Sequence, residues 1–236
     1  MTEDNKYILV LGSKPESQLP DEDVKRIYAA NGSAERAMLY RKKYSNNFLT
    51  CIAGAREYAR NEHVSKRINQ AEPENLIIRA GKIELPQTLE NKTKLICLTN
   101  YEQWNFQAKF FKQKKLSMLF GELKHQDGFV NKVTHILRAI KHNTIQGISS
   151  GFFCILLALE ENPNSKIIIS GIGMKGGKQF YKSERSNLFV YDSRAKVDRY
   201  MMELMVDSYK ERLFTTDLEL FQTTGIKMWH GNLLQL

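Results

Sequence analysis

The chain has 236 residues, 42% of them hydrophobic, enough to bury one substantial α/β core rather than two full domains. Its 35 Lys and Arg against 26 Asp and Glu give a net charge of +9, which favours anionic partners: sugar nucleotides, acidic glycans, anionic lipid or nucleic acid. No apolar run reaches the roughly 18 to 20 residues that cross a bilayer, and the acidic start MTEDNK runs straight into a strand, unlike a signal peptide, so a cytoplasmic chain is expected.

Strand and helix signals alternate from one end to the other, which predicts one α/β domain over residues 1–236 with a mostly parallel, Rossmann-like sheet flanked by helices, and with room for a small helical lid. Residues 7–11 read as a buried strand that ends in the loop Gly12-Ser13-Lys14-Pro15. A second strand at 25–30 ends at Asn31-Gly32-Ser33, with Ser33 placed to cap a helix through residue 40. A third strand at 47–53 precedes a polar helix at 55–68. Short strands follow at 76–79 and 94–99, then helices at 105–120 and 130–140. Residues 152–159 form an apolar helix and 166–170 a β-branched strand, and a long helix covers 194–210. The last unit is a helix from 216, capped by Thr215 or Thr216, and a strand at 226–229.

The segment 148–181 carries the chemistry. Ser149, Ser150 and Gly151 precede the apolar helix, so hydroxyls and free backbone N–H groups gather at a helix N-terminus, where the dipole favours a phosphate. The strand 166–170 opens into Gly171, Gly173, Gly176 and Gly177, and open α/β sheets bind ligands at that carboxyl edge. Gly12 and Ser13 follow the first strand, and Asn31 follows the second. Cys51, Cys97 and Cys154 sit far apart in apolar segments and read as buried thiols. No metal site is expected: there is no Asp-x-Asp pair suited to a diphosphate-bound cation, and the acidic run Asp21-Glu22-Asp23 lies well before the glycine-rich segment.

These blocks resemble the bacterial CMP-sialic-acid-dependent sialyltransferases of glycosyltransferase family 42. The start I-L-V-L-G-S-K-P-E-S is similar to the family's strand and G-N-G-P-S loop, with Gly12, Pro15 and Ser17 kept and Lys14 in place of a glycine. Asn31 falls where the family has an asparagine after its second strand, and K-L-I-C-L-T-N-Y resembles a strand ending in S-N-Y, with Asn100 as the asparagine. Ser150-Gly151 and Ser170-Gly171-Ile172 match the family's S-G and S-G-I. Beyond them Gly173 replaces an aspartate, and Lys175 stands near one of two phosphate-binding tyrosines, with Tyr181 as the other. In the tail, Asp217 and Asn232 keep register, while Arg212 occupies the place of the proposed histidine base.

The resemblance implies a sialyltransferase architecture of the GT-A-like kind and transfer of a sialic-acid-like or Kdo-like 2-keto sugar from a CMP-activated donor to a bacterial surface glycan, such as lipopolysaccharide or capsule, or to its lipid-linked precursor. It implies no cofactor and no metal. Lys175 and Tyr181 would stabilise the leaving phosphate, and Gly12, Ser13, Asn31, Asn100, Ser149, Ser150, Gly151 and Gly171 would hold the nucleotide. A guanidinium does not accept a proton near neutral pH, so the base must come from elsewhere, with Asp192, Glu184 and His230 as candidates.

Two other readings stand beside this one. Pyrophosphokinase-like proteins share a G-x-x-P-S start and an S-G helix cap, and they require Mg²⁺ and ATP. A catalytically silent nucleotide-binding partner of a glycosyltransferase would also fit the missing histidine. Nucleic acid is not an expected partner, because no aromatic-basic signature accompanies the charge. The helix at 105–120 reads as a core helix with a solvated rim; its alternative is an interfacial helix resting on anionic membrane.

Overall fold

The computed structural model describes residues 7–15, 17–45, 47–111, 128–142, 148–174 and 188–234, together with Leu123. Its centre is an eight-stranded sheet of β1 (Tyr7–Leu11), β2 (Arg26–Ala30), β3 (Phe48–Gly54), β4 (Asn75–Arg79), β5 (Lys94–Leu98), β6 (Lys166–Ser170), β7 (Leu213–Thr215) and β8 (Lys227–Met228). The spatial order is β5-β4-β3-β2-β1-β6-β7-β8, and every strand pairs in parallel with its neighbours. An isolated antiparallel bridge joins Pro20 to Leu233. The expected parallel α/β fold is therefore present.

Burial explains why the interior strands read as unbroken apolar runs. Side chains alternate between two faces, and both faces are covered. Ile8, Val10, Tyr28, Ile52, Ile167 and Ile169 point into one core, and Leu9, Leu11, Ile27, Leu49, Cys51 and Ile168 into the other. Helices α1 (Ala34–Lys43), α2 (Ala55–Arg60) and α3 (Glu62–Ala71) cover the second core. A one-turn helix α4 (Gln87–Glu90), α5 (Asn100–Phe111) and α6 (Phe129–His142) follow. Helix α7 (Ser150–Glu161) lies in the first core with eight consecutive buried residues, Phe152 to Leu159. It is apolar all round because it is covered all round. The sheet lies on one side of it; Phe106 of α5 stacks on its Phe153, and Phe110 meets Tyr209 of α8 (Leu188–Tyr209). The described part of the 105–120 segment thus faces the core. Helix α9 (Leu218–Thr224) precedes β8.

Local chemistry moves several boundaries from their predicted positions. The polar helix splits at Asn61, whose φ of −111° and ψ of 94° interrupt the turn while its amide donates to Glu57 Oε1 at 2.9 Å. Helix α5 begins at Asn100 because Thr99 and Glu102 form a reciprocal capping box: Thr99 N donates to Glu102 Oε2 at 2.7 Å, and Glu102 N to Thr99 Oγ1 at 3.2 Å. Strand β7 has three residues, too few to show a period.

Candidate functional site

Strand order reverses between β1 and β6, and the crevice beyond the carboxyl ends of those strands is where an open α/β sheet holds a ligand. Two glycines cross there. Gly12 N donates to Ser170 O at 2.8 Å, and Lys14 N to Gly171 O at 2.9 Å. A Cβ on Gly12 would lie 2.1 Å from Gly171 O, and one on Gly171 would lie 2.7 Å from Gly12 O. Gly171 also has φ +77°, a left-handed conformation that glycine adopts without strain.

Asp217 fixes this crossing from the end of β7. Its Oδ2 accepts from Gly171 N at 2.6 Å, and the carboxylate is only 6% exposed. Burial pushes the Asp217 carboxyl above the usual carboxylate range, against the pull of the Gly171 and Ile172 N–H groups, Lys14 and Arg36. Ser170 and Thr216 both donate to Gln18 O, at 2.7 and 2.8 Å, which ties the β1 loop to the same place. On the β2 side Ser13 Oγ donates to Ala30 O at 3.3 Å. Ser33 does not cap its helix; its hydroxyl reaches Leu11 O and Ala30 O at 2.9 Å instead. Asn31 sits at φ +52°, and its Oδ1 is buried without a hydrogen-bond partner among the described residues.

The N-terminus of α7 forms the other wall. Ser149 is its N-cap and accepts from Phe152 N at 3.1 Å, while Ser149 N donates to the buried Asp198 of α8 at 2.9 Å. Gly151 packs against Ile172, with 3.4 Å between its Cβ position and the Ile172 side chain. That contact joins the helix N-terminus to the Gly171 loop. No hydrogen bond among the described residues uses the backbone N–H of Ser150 or Gly151.

Arg79, at the carboxyl end of β4 and 7% exposed, organises this terminus. Its Nε donates to Gln103 Oε1 at 2.9 Å, Nη2 to Ile148 O at 2.8 Å and Nη1 to Ser150 Oγ at 3.4 Å. The guanidinium also lies 4.7 Å from the centre of the Phe153 ring. It places a full positive charge at the positive end of the α7 dipole, where the Asp198 carboxylate that accepts from Ser149 N also lies.

The predicted residues divide into groups. Gly12 and Gly171 meet at the crossing, Ser13 beside them donates to Ala30 O just before Asn31, and Gly151, with Ser149 and Ser150 next to it in the chain, adjoins the crossing through Ile172. Asn100 opens α5 beyond the edge strand β5, four strands from β1 or about 19 Å by strand spacing, so it is not brought to the crossing. His230 is exposed just past β8, two strands from β6. Arg212 lies at the opposite, amino edge, where its guanidinium donates to Ser165 O at 3.1 Å and Asn162 O at 2.6 Å. Asp192 belongs to α8, with its side chain outside the described residues. Lys175, Tyr181 and Glu184 lie outside them altogether, as do Lys112, Lys114 and Lys115.

Among the described residues no three His, Cys, Asp or Glu side chains are grouped to hold a metal ion. Asp21 is held by Lys43 and by Tyr44 at 2.6 Å, and these hydrogen bonds lower its pKa, the one from Lys43 most. Cys51 and Cys154 are buried and unpaired, and Cys97 is half-buried; burial raises the pKa of the first two thiols. No described helix is long and apolar enough to cross a membrane.

Sequence reasoning missed Arg79 and Asp198. The available signal was a charge closing an otherwise apolar strand, N-L-I-I-R, which marks a buried cation that needs partners.

The fold is that of an open parallel α/β protein whose strand order reverses between β1 and β6. No family model matches the chain, and no curated protein matches it at a significant level. Two solved structures align with it: the sialyltransferase CstII from Campylobacter jejuni in complex with the substrate analogue CMP-3FNeuAc, and the sialyltransferase CST-II in complex with a trisaccharide acceptor and CMP. The first is 14% identical over 99% of this chain and 96% of that one, with a TM-score of 0.37. The second is 16% identical over 86% of each chain, with a TM-score of 0.38. At that similarity neither assigns a role to any residue here.

Proposed function

We propose that the chain is a glycosyltransferase that moves a sialic-acid-like or Kdo-like 2-keto sugar from a CMP-activated donor to a bacterial surface glycan or its lipid-linked precursor. The observation that carries this reading is the contact of Gly151 with Ile172, which brings the α7 N-terminus and the Gly171 loop, the two blocks most similar to the sialyltransferase motifs, to one crevice. The donor phosphate sits at the α7 N-terminus, on the N–H groups of Ser150 and Gly151, with Arg79 behind it. The nucleoside lies along Gly12, Ser13 and Asn31, where the unpartnered Asn31 Oδ1 accepts a hydroxyl or amino donor.

In this scheme the bond between the anomeric carbon and the phosphate oxygen breaks, CMP leaves with the electron pair, and an acceptor hydroxyl attacks the anomeric carbon. Stabilising the phosphate and positioning the hydroxyl are the enzyme's tasks. Lys175 neutralises charge on the departing phosphate, Tyr181 donates a hydrogen bond to it, and Asp192 or His230 takes the hydroxyl proton. No metal or cofactor enters the scheme.

Calorimetric titration with CMP, CDP, UDP, GDP and ATP, with and without Mg²⁺, tests it. Selective, metal-independent CMP binding is the expected result. Mg²⁺-dependent ATP binding would replace this reading with the pyrophosphokinase one, and CMP binding without turnover of CMP-Neu5Ac or CMP-Kdo would leave a silent binding module.

A further inference from the structure

Helix α6 exposes an apolar face that nothing among the described residues covers. Phe129 is 81% exposed, Val130 75%, Leu137 61% and Val133 37%. At about 100° per residue these positions fall within an arc of roughly 100°, so they form one stripe rather than scattered surface side chains. The position of Lys132 flanks the stripe on one side, and that of Lys141 on the other. The sequence FVNKVTHILRAIKH holds Lys132, Arg138 and Lys141 and no acidic residue, within a chain of net charge +9.

We propose that α6 lies on an anionic lipid surface, with Phe129, Val130, Val133 and Leu137 in the headgroup–acyl boundary. An apolar stripe edged by lysines and free of acids is the pattern of an interfacial helix, whose cations meet lipid phosphates while its apolar side chains leave water. A second copy of the chain is the poorer occupant. The four exposed positions span about two and a half helical turns, a narrow stripe for an interface that buries roughly 800 Å² per partner. Two such helices face to face would also oppose cation to cation. The helix is not the 105–120 segment, whose described part is turned into the core. The inference deepens the reading of a lipid-linked acceptor, and lipid binding can fail while CMP binding stands, or the reverse.

The test is flotation of the full chain with vesicles of phosphatidylcholine alone and of phosphatidylcholine with one third phosphatidylglycerol. The wild type is expected to float with the anionic vesicles, to be released by salt, and to remain behind with the neutral ones. Combined Phe129→Ser, Val130→Ser and Leu137→Ser should lower the partition coefficient at least tenfold, with an unchanged melting curve and unchanged CMP affinity. Lys132→Glu, which leaves the stripe intact, should lower it by about fivefold or more. Absence of flotation in the wild type, equal flotation of the triple variant, or a wild-type dimer that the triple variant dissolves would each overturn the proposal.

Discussion

Gly12 and Gly171 cross backbone to backbone, and neither has room for a side chain: a Cβ on Gly12 would stand 2.1 Å from Gly171 O and 2.6 Å from Ile172 Cγ1. The nearest obstacle to each is the backbone of the other, which has no flexible end to move aside. Gly12→Ala is therefore expected to cost on the order of 3 kcal/mol or more by overpacking, read as a shift in urea midpoint, and to open the gap between β1 and β6.

Gly151 provides the contrast. Its Cβ position meets Ile172 at 3.4 Å, ordinary van der Waals contact, and it lies in a helix where Ala is favoured over Gly. Gly151→Ala should fold with a melting temperature at or slightly above that of the wild type. A methyl beside the α7 N–H groups would obstruct an anion there, so CMP affinity should fall at least tenfold. Unchanged affinity would move the phosphate away from this helix.

Arg79→Ala leaves Ile148 O and Gln103 Oε1 buried without their donor. A loss of about 2 to 4 kcal/mol is expected from the unsatisfied acceptors, measured by denaturant unfolding. Arg79→Lys should recover only part of it, because an ammonium cannot span Gln103, Ser150 and Ile148 as the planar guanidinium does.

Asp217 gives a pH signature. Its folded pKa is raised, chiefly by burial, so above the ordinary carboxylate value the native state holds this proton more tightly than the unfolded chain does. Its contribution to stability is then present at low pH and lost as pH rises through the raised value. Asp217→Asn keeps an oxygen for Gly171 N and removes that titration. The melting temperature of the variant minus that of the wild type should increase from about pH 4 to pH 7, and a flat difference would show that Asp217 titrates normally.

Much of the fold was legible in the sequence, because β1, β2, β3, β4 and β6 lie inside a parallel sheet and such strands must be apolar on both faces. β7 escaped because three residues carry no period, and its neighbour Arg212 signals nothing about the carbonyls it clasps. The Ser149 cap was readable from local order alone. Ser33 was not, since a 3-10 turn at Asn31–Ser33 rotates its hydroxyl toward β1 and β2. At the candidate site, Gly12, Gly171 and Ser149 were legible as the ends of strands and the start of a helix. The grip of Arg79 on Ile148 and of Asp217 on Gly171 did not appear, because those partners are 69 and 46 residues apart and meet only through the topology.

The short bridge between Pro20 and Leu233 bears on the order in which the molecule can be made. Asp21 N donates to Asn232 O at 2.8 Å and Leu234 N to Leu19 O at 2.8 Å, so the loop that leaves Gly12 is stitched to the last described residues. β1 emerges first during synthesis, yet its neighbour β6 follows more than 150 residues later and the stitch later still. A nascent chain therefore carries an open-sided first strand until β6 arrives, and the crevice closes only after translation has passed Leu234.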